Sequence, residues 1–321
     1  MHLLTHLKRK FLVSSPVKFL IRKSKKILLP GFQGIPLFDV IRFFFLQAGK
    51  TGFTERASAI AFNFTMTIPP AVIFMFTLIP YLPISNQFIN QLFSLIKDIM
   101  PGERNSGGLI KFLNDILNKP RHGLLSTGFL LAMFFSSNAV MGIMRSFDRN
   151  YIGFTKRKDL HERMVALRLT FILFILFFIT ISALIMQGSV LKWLGVTNKL
   201  VIWLVENFRW ILIILMFFFS ISFIYRYAPA VHKRWKLVNP GSILASFLMI
   251  LFTAGFSYWV SNFSNYNELY GSISTVLILM LLIYFNSLVL LIGFELNVSI
   301  NSLKHEVDER NKKLVSGEHT A

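Results

Sequence analysis

Six long apolar stretches most constrain what this chain can fold into. They occupy residues 57–82, 123–144, 165–187, 210–227, 240–262 and 271–291. Each is long enough to cross the ~30 Å hydrocarbon core of a bilayer as a helix, which needs about 20 residues. Lipid offers no partner for backbone polar groups, so spans of this kind are expected to be helical. The sequence therefore predicts an all-α, polytopic membrane protein with six transmembrane helices.

The amino-acid composition agrees with a membrane location and excludes several kinds of chemistry. Hydrophobic residues make up 54% of the 321 residues and charged residues only 15%, which would be unusual in a soluble domain. The chain has no cysteine, so disulfides, iron–sulfur clusters, thiol catalysis and cysteine-ligated zinc are excluded. The first apolar run is too long for a signal peptide, so it is expected to remain as a membrane span.

The positive charge of the chain predicts its partners and its orientation. A net charge of +19 would raise nucleic acid as a partner of a soluble protein, but basic loops facing an anionic inner leaflet explain it better here. We therefore expect membrane lipids, and no nucleic acid, as partners. The segment up to Arg56 holds 11 Lys and Arg, loops 145–163 and 226–236 hold six and four, and the tail holds four, whereas the alternate loops hold five, three and none. The positive-inside rule then predicts cytoplasmic termini.

Charge and apolar runs divide the chain into three predicted parts. Residues 1–56 form a basic segment that is either a cytoplasmic, membrane-surface element or a disordered tail, with a short interfacial helix at 37–48. Residues 57–303 form the membrane domain, and residues 304–321 form a charged cytoplasmic tail whose helix end frays. In the longest loop, 83–121, apolar residues at helical spacing predict two amphipathic helices on the outer interface or over the bundle.

Two adjacent prolines interrupt the first span. Pro69 and Pro70 remove two backbone donors and clash with the preceding turn, and polar Asn63 lies two turns earlier, so the helix is expected to kink or break. Irregular backbone at membrane depth is tolerated only where protein or a water-filled cavity satisfies the freed carbonyls. The pair therefore indicates either a broken helix beside a substrate path or a kink that serves packing.

The sixth span carries polar residues on two opposite faces. At 100° per residue, Tyr284 and Glu295 share one face, whereas Asn286, Gly293 and Asn297 lie on the other. A lipid-facing helix would not carry polar groups on both sides. The pattern therefore predicts that this helix is central in the bundle.

Glu295 is the one acidic residue in or at the edge of a predicted span. A carboxylate in the membrane is costly and usually pairs with a cation or relays protons. It is either a proton or cation coupling site, or one half of an ion pair with Arg56, Arg145 or Arg226, which are expected at the same depth. Its place near the expected end of the membrane span predicts that water reaches it.

Small polar residues form a stripe on the fifth span. Ser242, Ser246, Thr253 and Ser257 share one face, which indicates either close helix packing or the lining of a path.

A polar corner follows the fifth span, at Asn262, Asn265, Tyr266, Asn267 and Tyr270. It could bind polar head groups or sugars, or could cap helices and sit in the interfacial aromatic belt. It is expected on the outer side, about 30 Å from Glu295, so the two form either the ends of one path or separate anchors.

The sequence does not favour an enzyme. Its seven histidines are scattered over predicted loops and tails, and there is no phosphate-binding loop, nucleophile elbow or carboxylate cluster. We therefore expect no catalytic residues, no metal and no cofactor.

Several motifs, in order and at their spacing, resemble the YihY/BrkB family of bacterial inner-membrane proteins. They are RASAIAF at 56–62, SNA at 137–139, RSFDRNY at 145–151, ER at 162–163, YRYAP at 225–229, PG at 240–241, Asn262 with YGS at 270–272, and LIGFELN at 291–297. The resemblance implies six spans in a bacterial inner (plasma) membrane. It carries over no catalytic residue, and the Pro69-Pro70 pair departs from the pattern of the family.

Two functions remain open at this stage. One is transport or flipping of an amphiphilic envelope component, with Glu295 coupling it to an ion gradient; the alternative is a non-transporting membrane scaffold or regulator of envelope integrity. The family has also carried a ribonuclease name, which the lack of a catalytic cluster argues against. A homo-oligomer or another membrane-protein partner stays open. The candidate residues for a polar path or a polar structural role are Asn63, Pro69, Pro70, Asn138, Arg145, Asn262, Tyr266, Tyr270, Asn286, Glu295 and Asn297.

Overall fold

The structure of the chain, a computed structural model, is built from long α-helices. It describes residues 22–49, 52–78, 81, 111, 122–148, 151, 154–155, 157–193, 199–231, 234–263 and 272–315. Within these ranges there is no β-strand beyond one antiparallel bridge between Phe154 and Val231. The helices are α1 (Leu37–Ala48), α2 (Phe53–Leu78), α3 (His122–Phe147), α4 (Asp159–Trp193), α5 (Lys199–Tyr227), α6 (Pro240–Phe263) and α7 (Ser272–Val315).

Six of these helices, α2 to α7, are long and apolar enough to cross a membrane, which confirms the predicted span count. Each packs against the next in the chain, and α7 packs against α2, so the six form a closed ring. The order of contacts follows the order of the sequence. Sequential helices tend to be neighbours in space, and the connections after α3, α4, α5 and α6 are short enough to favour adjacent, antiparallel packing. The α2–α3 connection is much longer, yet these two helices also pack against each other.

The last helix is longer than the sequence analysis predicts. Its 44 residues correspond to about 66 Å at 1.5 Å per residue, twice the thickness of a bilayer core. The helix does not end near residue 304, where the charged tail is predicted to begin, since it continues to Val315. Ion pairs one turn apart, Lys304–Asp308 at 2.8 Å and His305–Glu309 at 3.8 Å, fit this extension.

The predicted helix at 37–48 is present as α1 and is docked on the extended part of α7. Phe32, Ile35 and Val40 are buried together with Ile300 in a small apolar cluster. This part of the N-terminal segment is therefore packed against the protein. Two amphipathic helices are predicted at 83–121, but only residue 111 of this range lies within the described residues. These helices therefore stay a prediction.

The predicted break at Pro69-Pro70 is absent, because α2 is helical without interruption from Phe53 to Leu78. Contacts with α3 hold it on both sides of the prolines. A Cβ on Gly142 would lie 2.8 Å from the Asn63 side chain, and one on Gly128 would lie 3.5 Å from Phe74 Cα. Close packing along the whole helix thus keeps the two halves of α2 in one element despite the two missing backbone donors.

The core lies at the end of the bundle where α2, α4 and α6 begin and α3 and α5 end. We call it the basic end. Here residues 287–302 of α7 are mostly buried, whereas most of residues 276–285 are exposed or half-buried. Phe294 stacks on Phe147 with ring centroids 3.9 Å apart, and the Tyr225 hydroxyl donates to Leu290 O at 2.6 Å. The prediction of a central sixth span is therefore right for its second half only.

Two glycines bring α6 and α7 into backbone contact at the basic end. A Cβ on Gly241 would lie 2.1 Å from Gly293 O, and one on Gly293 would lie 2.6 Å from Gly241 O. Asn239 caps α6, accepting from Ser242 N at 2.8 Å, with proline at the first helical position. Backbone approach as close as this is typical of helix packing in membranes.

Candidate functional site

The site at the basic end is built around the carboxylate of Glu295. Its Oε1 accepts from Arg56 Nη1 at 2.6 Å and from the Tyr151 hydroxyl at 2.6 Å. The Arg56 side chain also donates from Nε to Ser146 O at 2.7 Å. The Arg56 and Glu295 side chains are 5% and 0% exposed, so this is a buried ion pair.

The pair is only partly satisfied within the described residues. Arg56 Nη2 and Glu295 Oε2 are buried and have no hydrogen-bond partner there. Burying two charges costs several kcal/mol per ion, and a close pair offsets that cost only when the remaining donors and acceptors are satisfied. The pair therefore leaves one buried donor and one buried acceptor unsatisfied within the described residues.

Of the three predicted alternative partners of Glu295, which are Arg56, Arg145 and Arg226, Arg56 is the one that pairs with it. Arg145 pairs instead with Glu162, Nε to Oε1 at 3.1 Å, and Arg226 lies 5.7 Å from the centroid of the Tyr227 ring. The expectation that water reaches Glu295 near a helix end is wrong. The side chain has no exposed surface, because α7 continues for 20 residues beyond it and because Arg56 of α2 and Tyr151 of the loop after α3 contact its carboxylate.

A polar groove opens from Arg56 along the surface between α2 and α3. It has a volume of about 500 Å³, and its lining includes three of the predicted residues, Asn63, Asn138 and Arg145. From Glu55 to Asn63 the groove follows α2 for about two turns, or about 12 Å at 1.5 Å per residue. It therefore extends from the basic end into the part of α2 that spans the membrane.

Asn138 and Asn63 hold different positions in this groove. Asn138 Oδ1 accepts from Arg163 Nη1, and Arg163 lies 4.8 Å from the centroid of the Phe134 ring. Asn63 Nδ2 donates to Ala59 O of its own helix at 2.8 Å, which leaves its amide oxygen outside that bond. The groove thus has one amide fixed by an arginine and one held only by its own helix.

The opposite face of α7 serves helix packing. Asn297 accepts from Gly241 N at 2.9 Å and donates to Asn239 Oδ1 at 2.7 Å. Asn286 Nδ2 lies 3.4 Å from Thr253 Oγ1 on α6. The two predicted faces of α7 are therefore separated by role, since one holds the ion pair and the other joins α6.

The serine and threonine stripe on α6 divides in the same way. Ser242 and Ser246 are buried against the rest of the protein, Thr253 is half-buried, and Ser257 is exposed. The packing interpretation fits the first three residues. The side chains of Asn262, Tyr266 and Tyr270 lie outside the described residues, so the polar corner stays a prediction.

The candidate residues from the sequence do not include two members of the site, Tyr151 and Ser146, or Asn239 at the crossing of α6 and α7. Tyr151 lies in the predicted loop after α3, and nothing in its spacing indicates that the loop folds back over Glu295. A signal was present for two of them, because Ser146 and Tyr151 belong to the RSFDRNY motif at 145–151. Among the described residues, no group of three or more His, Asp or Glu side chains could hold a metal ion.

Residues 44–316 match the family described as virulence factor BrkB. The chain belongs to this family. It is 26% identical over 261 residues to the ribonuclease-like protein YfkH of Bacillus subtilis (strain 168), an alignment that covers 79% of this chain and 92% of that protein. No solved structure matches it.

This BrkB family member is also similar to proteins that are named UPF0761 membrane proteins. It is 34% identical over 105 residues to one from Xanthomonas campestris pv. campestris (strain B100) and 29% identical over 94 residues to one from Tolumonas auensis. These alignments cover 32% and 29% of this chain and only 24% and 31% of the relatives. These relatives are named as membrane proteins, and their names state no molecular activity.

Proposed function

We propose that this protein moves an amphiphilic envelope component with an anionic head group across the bacterial inner membrane. The observation that carries the proposal is the arginine-lined groove on the surface of α2 and α3, which enters the membrane-spanning part of both helices. A groove that is open on one side can hold a charged head group while the acyl chains stay in the lipid. This arrangement avoids transferring a charge through hydrocarbon, which is the main barrier to spontaneous flipping.

Two arginines line the groove and can bind an anionic head group. Glu55 lines it as well and Arg145 is paired with Glu162, so the anion would bind beside one carboxylate and in competition with another. Arg56 contributes a guanidinium with one buried Nη2 without a partner among the described residues, and the Arg145 side chain is 66% exposed. Guanidinium groups bind phosphate and carboxylate through paired N–H donors. The Asn63 amide adds a neutral polar group two turns deeper into the span.

The polar line on α2 continues beyond the groove. Thr67 lies one turn after Asn63 and contacts Phe135 O of α3 at 3.3 Å through its hydroxyl. Pro69 and Pro70 follow and, lacking N–H groups, free the carbonyls of Thr65 and Met66 from the helical ladder. Polar atoms therefore extend along one helix from the basic end towards the middle of the membrane.

Apolar side chains border the same region. Phe62 is 58% exposed, Phe134 51% and Met66 47%, so each presents an apolar surface beside the groove that acyl chains could contact. An amphiphile with its head group in the groove would thus keep its apolar part in an apolar environment.

The ion pair supplies a means of coupling. An anionic head group that binds Arg56 competes with Glu295 for the same guanidinium, and Glu295 then becomes a buried carboxylate without a cation. A cation that takes the place of the guanidinium would compensate for that loss. Because the sequence has no nucleotide-binding motif, we propose an ion gradient as the energy source.

A flipping assay in reconstituted vesicles tests the proposal. The vesicles carry fluorescent phosphatidylglycerol in the inner leaflet and an impermeant quencher outside. Fluorescence falls only when the protein moves the labelled lipid to the outer leaflet, and the rate of this fall is measured. We expect Asn63→Asp to slow this movement about tenfold or more, since it replaces a favourable polar contact by charge repulsion and hydrogen bonds to charged groups contribute about 1.5–3 kcal/mol. Asn301→Asp, the same change on half-buried Asn301 of α7 outside the groove, should leave the rate unchanged.

Further arms separate this function from its alternatives. Arg145→Gln should also slow phosphatidylglycerol, whereas Arg168→Gln, which removes an equal charge from an exposed position outside the groove, should not. Wild-type protein no faster than protein-free vesicles would overturn the proposal and favour a scaffold. RNA cleavage by the same preparation, lost in a groove variant, would instead favour a nuclease.

A further inference from the structure

A second basic cavity lies at the basic end, on the far side of α3 from α2. It has a volume of about 600 Å³ and opens between the segment before α4 and the segment after α5. Arg157, Lys158, His161 and Arg234 line it together with the Thr155 hydroxyl. No carboxylate is present among the described residues of its wall, so three permanent cations share one space without a counter-ion there.

Arg157 is fixed in place by the end of α5. Its Nη1 donates to Ala228 O at 2.7 Å, and its Nη2 donates to Pro229 O at 2.8 Å and to Tyr227 O at 3.3 Å. The Tyr227 carbonyl is among those that a helix end leaves without a partner, and the carbonyls of Ala228 and Pro229 directly follow the helix. The three bonds use three of the five N–H groups of the guanidinium, so its charge is held at the cavity wall with donors to spare.

The cations in the cavity oppose each other. Burial lowers the pKa of Arg157 from its ordinary value; Asp148 and Glu162 act against this effect, while nearby Arg234 adds to it. Glu162 is paired with Arg145, and neither acid lines the cavity. An anion bound between Arg157 and Arg234 would relieve their repulsion.

We propose that this cavity binds a phosphate-bearing anion. Phosphate fits because its oxygens accept several hydrogen bonds at once from guanidinium and ammonium groups. The cavity lies where the span in α4 begins, at Asp159, and where the span in α5 ends, at Tyr227, so it is at the level of lipid head groups. Leu160 and Met164, on one face of α4, are 84% and 51% exposed beside it, which favours the phosphate of a lipid over a soluble phosphate.

This site is separate from the groove, and the inference does not depend on transport. It would place a bound anionic lipid, or a phosphate-containing solute, against the two loops that join α3 to α4 and α5 to α6. Such a ligand would link these loops, which now contact each other through Arg157, through Thr155 N to Ala230 O at 2.7 Å and through the bridge between Phe154 and Val231.

Binding of phosphatidic acid to the purified full-length protein in detergent, counted by native mass spectrometry, tests the inference. Lys158→Gln/Arg234→Gln should weaken binding about tenfold or more, because both side chains line the cavity and each loses a charge-assisted contact. Arg310→Gln/Lys312→Gln removes the same charge from exposed positions of α7 and should change binding less than about twofold. Arg157 is left intact because it also caps α5.

A third variant guards against loss by unfolding. Thr155→Glu places a carboxylate in the cavity, where it should occupy the cations and abolish lipid binding while the thermal unfolding temperature is kept or raised. Millimolar inorganic phosphate should be tested as a competitor of phosphatidic acid. Competition that is seen with the wild type and lost in the cavity variants would confirm the site and show that it also takes soluble phosphate. Equal weakening by the α7 control, or binding of phosphatidic acid no stronger than of phosphatidylcholine, would overturn the inference.

Discussion

At the scale of single residues, the buried pair of Arg56 and Glu295 decides how the basic end is held together. The two residues are 239 positions apart in the chain, and Arg56 Nη1 lies 2.6 Å from Glu295 Oε1 in the structure. A buried ion pair is weak evidence of net stabilisation, because desolvation offsets the attraction. Removing one partner is a different matter, since the other charge is then left buried without compensation.

We expect Glu295→Gln to lower the free energy of unfolding by about 3–5 kcal/mol, the usual effect of breaking a buried pair. Arg56→Gln should cost a similar amount. The double variant should cost clearly less than both together, because it leaves no unpaired charge. Thermal unfolding of the purified variants in detergent measures all three.

The control for this cycle is Glu309→Gln, which removes an exposed carboxylate whose contact with His305 is 3.8 Å. It should change stability by less than about 0.5 kcal/mol. Additive costs in the double variant would show that the pair is not coupled. If Glu295→Gln left the free energy of unfolding unchanged but abolished gradient-driven flipping, Glu295 would serve coupling and not stability.

At the scale of elements, the crossing of α6 and α7 depends on glycines. No Cβ can be accommodated where the two backbones meet, because the carbonyl of each glycine lies within 2.6 Å of the Cβ position of the other. The Asn297 bonds to Gly241 N and Asn239 join the same crossing. Small residues here let polar side chains of one helix reach the first turn of the other, whose N–H groups would otherwise have no partner.

Gly293→Ala should therefore destabilise the protein by about 1–3 kcal/mol or more, as is usual for overpacking. Its Cβ would meet Tyr225 Oη at 2.5 Å, Gly241 O at 2.6 Å and Ala245 Cβ at 2.7 Å. Gly255→Ala is the matched control. Gly255 lies in α6, the other helix of the crossing, and a Cβ at this position would have no atom within 4 Å. Alanine there should be neutral or stabilise by up to about 1 kcal/mol, because it restricts the unfolded chain. Equal unfolding temperatures for the two variants would contradict the close crossing.

At the scale of the whole molecule, the ring of six spans concentrates polar chemistry at one end. The ion pair, the groove and the second basic cavity all lie at the basic end. Most of the Lys and Arg in the connections are there as well, which is the distribution that the positive-inside rule associates with the cytoplasm.

We expect the basic end to face the cytoplasm. Since the chain has no cysteine, a single introduced cysteine reports one position. In intact spheroplasts, an impermeant maleimide should label Asn267→Cys, in the connection between α6 and α7, and should not label Arg310→Cys until the membrane is opened. The reverse pattern would invert the topology and place the groove on the outer side.

The sequence by itself determined the number, order and approximate bounds of the spans, because about 20 consecutive apolar residues have few alternatives to a membrane helix. It also predicted the two polar faces of α7, and it offered an ion pair as one of two interpretations of Glu295, since charge and helical periodicity are local properties. The continuation of α7 to Val315 was not predicted, because its last turns are charged and exposed and carry little of the apolar periodicity that marks a helix.

Only the tertiary structure decided which cation pairs with Glu295, that Tyr151 folds back onto it, and that α2 stays helical through two prolines. Each of these depends on contacts between residues far apart in the chain, and three arginines at similar depth are equivalent until the helices are packed. The same holds for the groove and the second basic cavity. Their walls come from different elements, and their shape follows from how closely the helices approach.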